Sequence, residues 1–139
     1  RMFPINIRGL REVFKSLERN ELLVFLPDQV PDYGARGFIG TFFGHDAYTS
    51  DLVHRVISKF DSEVVFGTVM RDFSERKVRY RICFEKPADE IYSKDVGVHI
   101  SSLNRSLERL VMKAPEQYQW SYKRYKRLNK LEKNIYRRQ

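Results

Sequence analysis

The sequence predicts an α/β fold, a mixed β-sheet flanked by amphipathic helices, and three observations lead to it. Short apolar runs of strand length occur along the chain. Between them lie segments in which apolar residues recur at helical spacing. The 139 residues, 42% of them hydrophobic, are enough for one domain with a buried core.

Three segments have the apolar spacing of helices. The first covers residues 7–19, with Asn20 placed as its C-cap. The second follows Thr49 or Ser50, either of which can act as its N-cap. The third covers residues 97–113 and is stopped by Pro115, which can open a further helix. The residues predicted to face the core are Leu10, Val13, Phe14, Leu17, Leu52, Val53, Val56, Ile57, Phe60, Ile100, Leu103, Leu107, Leu110 and Val111.

Four apolar runs predict strands, at residues 22–26, 38–43, 64–70 and 78–86. The run 64–70 is continuous and rich in β-branched residues, which is typical of a strand buried on both faces. The run 78–86 alternates, so it predicts an antiparallel partner that has one apolar and one wetter face. Its apolar face carries Val78, Tyr80, Ile82 and Phe84.

Asp28 and Gln29 directly follow the first predicted strand and precede a loop punctuated by proline and glycine. In open α/β sheets ligands bind outside the carboxyl ends of the strands, which makes this pair candidate functional residues. Such residues also commonly serve only the backbone of a turn. The residues alone favour the turn role slightly and leave both roles open.

The net charge of +8 is concentrated near the end of the sequence. Residues 122–139 contain eight bases and one acid, or +7, which leaves about +1 for the remainder. We therefore divide the chain into an α/β portion, residues 1–121, and a basic aromatic helical tail, residues 122–139. Aromatic residues interleave with the bases here, as in surfaces that bind single-stranded nucleic acid or an anionic membrane.

Several kinds of site are not indicated. The three histidines have no metal-ligand spacing, and no glycine-rich nucleotide loop or hydrolase elbow occurs, so we expect no metal and no cofactor. His45, Asp46 and Asp51 make a poor catalytic dyad and suit the start of a helix better. The single cysteine, Cys83, excludes an internal disulfide. No apolar run approaches the roughly 18 to 20 residues that span a bilayer.

Four blocks of sequence carry a family resemblance: residues 9–29 ending in LPDQ, GFIGTFFG at 37–44, LNRSLERLV at 103–111 and PEQYQWSYKRYK at 115–126. In this order the chain resembles the C-terminal part of the lipid A biosynthesis acyltransferases of Gram-negative bacteria, which add lauroyl- or myristoyl-type chains. The resemblance implies a glycerolipid-acyltransferase-like fold and an activity at the cytoplasmic face of the inner membrane. The implied donor is an acyl carrier protein, and the implied acceptor is a hydroxyl of a lipid A precursor.

The family's catalytic signature is a His followed, after four residues, by Asp or Glu. In this chain the residue five positions after each histidine is Ser50, Lys59 or Asn104, and none of these is an acid. No catalytic residue is therefore expected in this chain. The resemblance then implies a fragment that begins beyond the catalytic dyad and is not itself catalytic. The alternative is a basic module that docks on an anionic membrane or on nucleic acid, of which the resemblance favours the membrane.

The resemblance also implies a set of substrate-binding residues at the positions that match the family's motifs. His45 and Asp46 depart from the family pattern, in which small or apolar residues are commoner. The implied substrate-binding residues are Asp28, Gln29, Phe42, Phe43, Glu116, Trp120, Arg124 and Lys126.

Overall fold

The computed structural model describes residues 7–74, 77–127 and 136. The elements, in chain order, are α1 (Ile7–Glu18), β1 (Gly37–Phe42), β2 (His45–Ser50), α2 (Leu52–Phe60), β3 (Phe66–Asp72), β4 (Arg79–Glu85) and α3 (Val96–Val111). Two short 3-10 helices, Asp89–Tyr92 and Pro115–Gln117, flank α3. The α/β class is thus confirmed for the described residues.

The three predicted helices are present. Asn20 has the left-handed conformation of a C-terminal cap, with φ 58°, and its amide donates to the Leu17 carbonyl. Helix α3 begins at Asp95, whose carboxylate accepts hydrogen bonds from the amides of Gly97 and Val98. The helix predicted to open at Pro115 is only the 3-10 turn Pro115–Gln117.

The sheet differs from the prediction. The described strands form two separate two-stranded antiparallel sheets, β1–β2 and β3–β4, which we call the first and second hairpins, and not one mixed sheet. Phe43 and Gly44 connect β1 to β2, and both have positive φ, 47° and 77°. Such a turn matches the twist of hairpin strands, so the chain doubles back directly.

The residues before α2 are a strand and not a helix cap. Thr49 lies in β2, fully buried, whereas Ser50 accepts a hydrogen bond from the Leu52 amide at 3.2 Å. Asp51 occupies the N-cap position of α2, without a side-chain cap hydrogen bond. The prediction of Thr49 or Ser50 as the N-cap is therefore wrong, because the Thr49 hydroxyl is buried and Ser50 lies one residue before the cap.

Residues 22–26 are not the buried strand that the apolar run predicts. They form no helix or strand, and they pair with none of the four described strands. Leu22 and Val24 are 90% and 82% exposed. The prediction failed because an apolar run becomes a buried strand only where a neighbouring strand and a covering layer exist.

The second hairpin corrects a further prediction. Its antiparallel pairing is as expected, but β3 is not buried on both faces, since Phe66 enters the core and Val69 is exposed. The alternating face of β4 that was expected inward, with Tyr80, Ile82 and Phe84, points away from the core.

The core lies between α2, α3 and the start of β3. It contains Ile57, Phe66, Ile91, Ile100, Leu103 and Leu110. Helix α3 packs on β1 so closely that a Cβ at Gly40 would lie 2.5 Å from the Ile100 side chain. The Asn104 side-chain amide stabilises the same contact by donating to the Thr41 carbonyl at 3.0 Å. The first hairpin is thereby held against α3.

Candidate functional site

Asp28 lies in the turn formed by residues 27–29, where the Gln29 amide donates to the Leu26 carbonyl at 3.4 Å. The Asp28 carboxylate lies near enough to Tyr118 and Arg124 that its negative charge raises the pKa of both groups. The carboxylate therefore interacts with residues distant in sequence. It does more than complete its own turn.

Arg124 is the buried cation of this site, with 3% of its surface exposed. Its Nη1 donates to the Tyr48 carbonyl at 2.8 Å, and its Nη2 donates to the Thr49 hydroxyl at 2.6 Å. The guanidinium lies 5.3 Å from the centroid of the Phe42 ring. These contacts fix the residue to the first hairpin and orient the planar group.

The electrostatics of the site couple three groups. Burial lowers the pKa of Arg124, and the neighbouring Tyr118 and Asp28 act in the opposite direction. Burial is also the largest cause that raises the pKa of Tyr118, followed by the charge of Asp28. Tyr118 therefore stays protonated at neutral pH and can donate to the carboxylate, while Arg124 keeps its charge.

An aromatic cluster surrounds these polar groups. Phe42 is almost fully buried, and its ring centroid lies 6.5 Å from that of Tyr118 and 6.4 Å from that of Tyr125. Trp120 packs edge-on against Tyr118 at 4.9 Å and lies 5.7 Å from Phe43. The Trp120 indole is still 55% exposed. The cluster thus extends from the interior to the surface.

A shallow groove of about 390 Å³ adjoins the cluster at Phe43. Its other lining residues come from α3 and the residue that follows it, and they are Arg105, Glu108, Arg109 and Met112. Glu108 is engaged, since it accepts a hydrogen bond from the Phe43 amide at 2.6 Å. The two arginines are exposed and have partners of their own, since Arg105 pairs with Glu90 at 3.8 Å and Arg109 donates to the Ser106 hydroxyl at 3.3 Å.

The structure brings together five of the eight residues predicted to bind substrate. Gln29, Glu116 and Lys126 lie at the surface. The Lys126 ammonium is 5.2 Å from the Tyr122 ring centroid. The five residues in and around the aromatic cluster are Asp28, Phe42, Phe43, Trp120 and Arg124.

Sequence reasoning missed Tyr118 as a site residue, together with the partners that hold Arg124, Tyr48 and Thr49. Tyr118 stands inside the PEQYQW block and was available from that motif. Thr49 gave no such signal, because its hydroxyl meets Arg124 only once the tail folds back on the first hairpin.

Within residues 7–74, 77–127 and 136, no group of three or more His, Cys, Asp or Glu side chains could hold a metal ion. The same part of the chain has no helix long and apolar enough to cross a membrane. His45 is exposed, with its ring against Tyr125.

Comparison with known proteins decides the family. The model of the bacterial lipid A biosynthesis acyltransferases matches residues 1–127. The chain belongs to this family. Three of the blocks that carry the resemblance meet at the site: the LPDQ block supplies Asp28, the GFIGTFFG block Phe42, and the PEQYQW block Tyr118.

Curated members of the acyltransferase family show the same relationship. The chain is 30% identical over 126 residues to a lipid A biosynthesis palmitoleoyltransferase of Escherichia coli K12 and to a lipid A biosynthesis acyltransferase of Shigella flexneri. It is 26% identical over 121 residues to a lipid A biosynthesis lauroyltransferase of E. coli K12. The alignments cover 86 to 88% of this chain, which spans about two fifths of the length of these relatives, 38 to 39%.

Proposed function

We propose that this chain is the C-terminal α/β portion of a lipid A biosynthesis acyltransferase with a glycerolipid-acyltransferase-like fold. The complete enzyme transfers an acyl chain from acyl carrier protein to a hydroxyl of a lipid A precursor. The family membership and the names of the related enzymes support this proposal. Residues 1–121 form the α/β portion, and residues 122–139 form the basic tail.

One observation carries the role of this chain within the enzyme. Asp28 is a partly exposed carboxylate that interacts electrostatically with Tyr118 and with the buried charge of Arg124. A carboxylate in this position can accept a hydrogen bond from the acceptor hydroxyl of the lipid A precursor and orient it. Asp28 is therefore the positioning residue that we assign to the acceptor.

The other predicted residues surround that position. Phe42 supports the site from within, and Phe43 and Trp120 present apolar surface to the substrate. Arg124 supplies a positive charge near Asp28. Gln29, Glu116 and Lys126 are exposed, and we assign them contacts with polar groups of the substrate.

We assign the chemical step to residues outside this chain, because none of its histidines is followed at the right spacing by Asp or Glu. A histidine base takes the proton of the acceptor hydroxyl, whose oxygen attacks the thioester carbonyl. An ester bond forms, the carbon–sulfur bond breaks, and the thiol leaves with the proton. No cofactor is required by this reaction.

The enzyme's proposed location is the cytoplasmic face of the inner membrane, with an anionic leaflet and the lipid A precursor as partners. Nucleic acid is not proposed as a partner. Arg124 is buried, and Arg127 donates to the Pro31 and Asp32 carbonyls at 2.9 and 2.7 Å, so two bases of the tail serve the protein itself.

The test is the substitution Asp28→Ala in the complete enzyme, with acyl transfer to the lipid A precursor as the readout. We expect turnover to fall by roughly 10² because the acceptor hydroxyl loses its fixed partner. Asp32→Asn is the matched control, since Asp32 is an exposed neighbour whose side chain is not assigned a role. Unchanged turnover in the Asp28 variant would show that Asp28 serves only the turn formed by residues 27–29.

A second experiment tests whether the chemical step depends on residues outside this chain. The 139-residue chain alone, given acyl carrier protein and acceptor, is expected to transfer no acyl group. Transfer by this chain that disappears in a His45→Ala variant would show a base within it and overturn the proposal.

A further inference from the structure

The second hairpin has one face packed on the protein and one face open. Phe66 on the packed face enters the core, and Glu85 on the same face pairs with Lys113. Gln117 binds the edge of β3, donating to the Arg71 carbonyl at 2.9 Å and accepting from the Arg71 amide at 2.7 Å. The hairpin is therefore anchored in a fixed orientation.

The open face is apolar. In the hairpin register Val69 stands opposite Ile82 and Arg71 opposite Tyr80, and the Phe84 ring lies over Gly67. Seven large apolar residues of this face and its ends are each 52 to 73% exposed, and they are Val65, Val69, Phe73, Val78, Tyr80, Ile82 and Phe84. A contiguous apolar surface of this kind marks an interaction site.

The charges around this face indicate which partner it fits. Residues 65–86 contain six bases and three acids, a net charge of +3. Asp72 is already paired with Arg81 at 3.1 Å and Glu85 with Lys113, so their charges are compensated within the protein. In the register of the described strands both acids, Asp72 and Glu85, lie on the packed face, whereas Arg71 lies on the open face. The exposed bases Lys77 and Lys86 flank the strands. An apolar face with bases and no described acid is the pattern of an anionic membrane interface.

The same charge argues against a second copy as the partner. In a symmetric dimer a patch meets itself, so two open faces that each carry Arg71 and no described acid would be brought together. Like charges at such an interface repel each other, whereas anionic lipid headgroups would neutralise them.

We propose that the open face of the second hairpin rests on the surface of an anionic lipid bilayer, with Tyr80, Ile82 and Phe84 among the headgroups. The inference deepens the proposed function and rests on its placement of the enzyme at a membrane, since it names the surface that makes the contact. It assigns this role to the hairpin and not to the tail.

The test uses the 139-residue chain labelled with an environment-sensitive dye at a single cysteine. One variant combines Phe84→Cys with Cys83→Ser, and the matched control combines Ser58→Cys with Cys83→Ser, because Ser58 is exposed on α2, outside the hairpin. Vesicles of phosphatidylcholine with one quarter phosphatidylglycerol are added, and pure phosphatidylcholine vesicles serve as the uncharged comparison.

We expect a blue shift and quenching by nitroxide-labelled lipid at position 84, and neither at position 58. Replacing Ile82 and Phe84 by Ser is expected to weaken sedimentation with anionic vesicles by at least about tenfold, with helical circular dichroism unchanged. Binding to the uncharged vesicles is expected to be weaker than to the anionic ones.

Two results would overturn the proposal. A dye at position 84 that is already blue-shifted without lipid, in a chain that sediments as a dimer, would show the face covered by a second copy. Vesicle binding that is insensitive to the Ile82 and Phe84 changes would place the contact elsewhere. Neither result depends on acyl transfer, so an inactive Asp28 variant that still binds vesicles would leave this inference standing.

Discussion

Arg124 connects the tail to the first hairpin through contacts that no other side chain reproduces. Its two Nη atoms satisfy the Tyr48 carbonyl and the Thr49 hydroxyl, and its Nε is buried without a hydrogen-bond partner among the described residues. A lysine keeps the charge but lacks the planar fork that reaches two acceptors. The geometry, and not the charge alone, is therefore what this position requires.

We expect Arg124→Met to lower the free energy of unfolding by about 2–4 kcal/mol, because it removes the donor to the Tyr48 carbonyl and one of the partners of the Thr49 hydroxyl and leaves Asp28 without its cation. Arg124→Lys is expected to recover only part of this loss. Urea unfolding of the chain measures both, and Arg8→Met, at an exposed position of α1, is the control. Equal stability of all three variants would contradict the structural role of Arg124.

His99 should make the chain sensitive to acid. Its Nδ1 donates to the Ile91 carbonyl at 2.6 Å, and its Nε2 is buried without a partner in the described part of the chain. Burial lowers the pKa of His99, and the neighbouring His54 lowers it further, against the opposing effect of the Ile91 hydrogen bond. The folded state therefore resists taking a proton at Nε2.

The sign of the pH dependence follows from this shift. Above the unfolded pKa of about 6.5 both states are neutral, and the full stability is present. Below it the unfolded chain binds a proton that the folded chain does not, so stability falls by up to about 1.4 kcal/mol per pH unit until the folded pKa is reached. Urea unfolding from pH 7.5 to 5 should show this slope, and His99→Phe should reduce it. The control His45→Gln, at an exposed position, should retain it.

Among the elements, α3 and β1 form the closest packing contact. The absence of a side chain at Gly40 lets the strand approach Ile100 and Asn104. Gly40→Ala would force the helix and the strand apart, and we expect a loss of about 1–3 kcal/mol in the free energy of unfolding. Thr41→Ala, at the exposed neighbouring position, is the control. If the Gly40 variant matched that control in thermal unfolding, the close approach would be disproved.

The elements also show what the sequence could predict. Helices α1 and α3 follow from local spacing and caps, because their hydrogen bonds lie within the segment. Strands depend on partners, so the apolar run 22–26 was mistaken for a buried strand and the polar start of β2 for a helix cap. Asp28 was a candidate from its place after a predicted strand, and the family resemblance added Arg124. Tyr118 was available from the PEQYQW block, whereas Thr49 became visible only when the fold brought distant segments together.

For the molecule as a whole, stability should be unevenly distributed. In the described part of the chain, no amide of residues 22–26 donates to a backbone carbonyl, whereas α3 is buried along one side. Hydrogen exchange of the 139-residue chain should therefore be close to unprotected at 22–26 and slowest in α3. Strong protection of 22–26 would instead show that the segment pairs with another strand in solution.

The contacts between the LPDQ block and the tail join segments that lie far apart in the sequence, so the second segment is synthesised much later than the first. The Val30 amide donates to the Tyr122 hydroxyl across 92 positions of sequence. At a synthesis rate of roughly 5–20 residues per second, the ribosome adds Tyr118 and Arg124 about 5 to 20 seconds after Asp28. The candidate site is thus completed late in translation, and until then the Val30 amide lacks the Tyr122 hydroxyl that binds it in the folded chain.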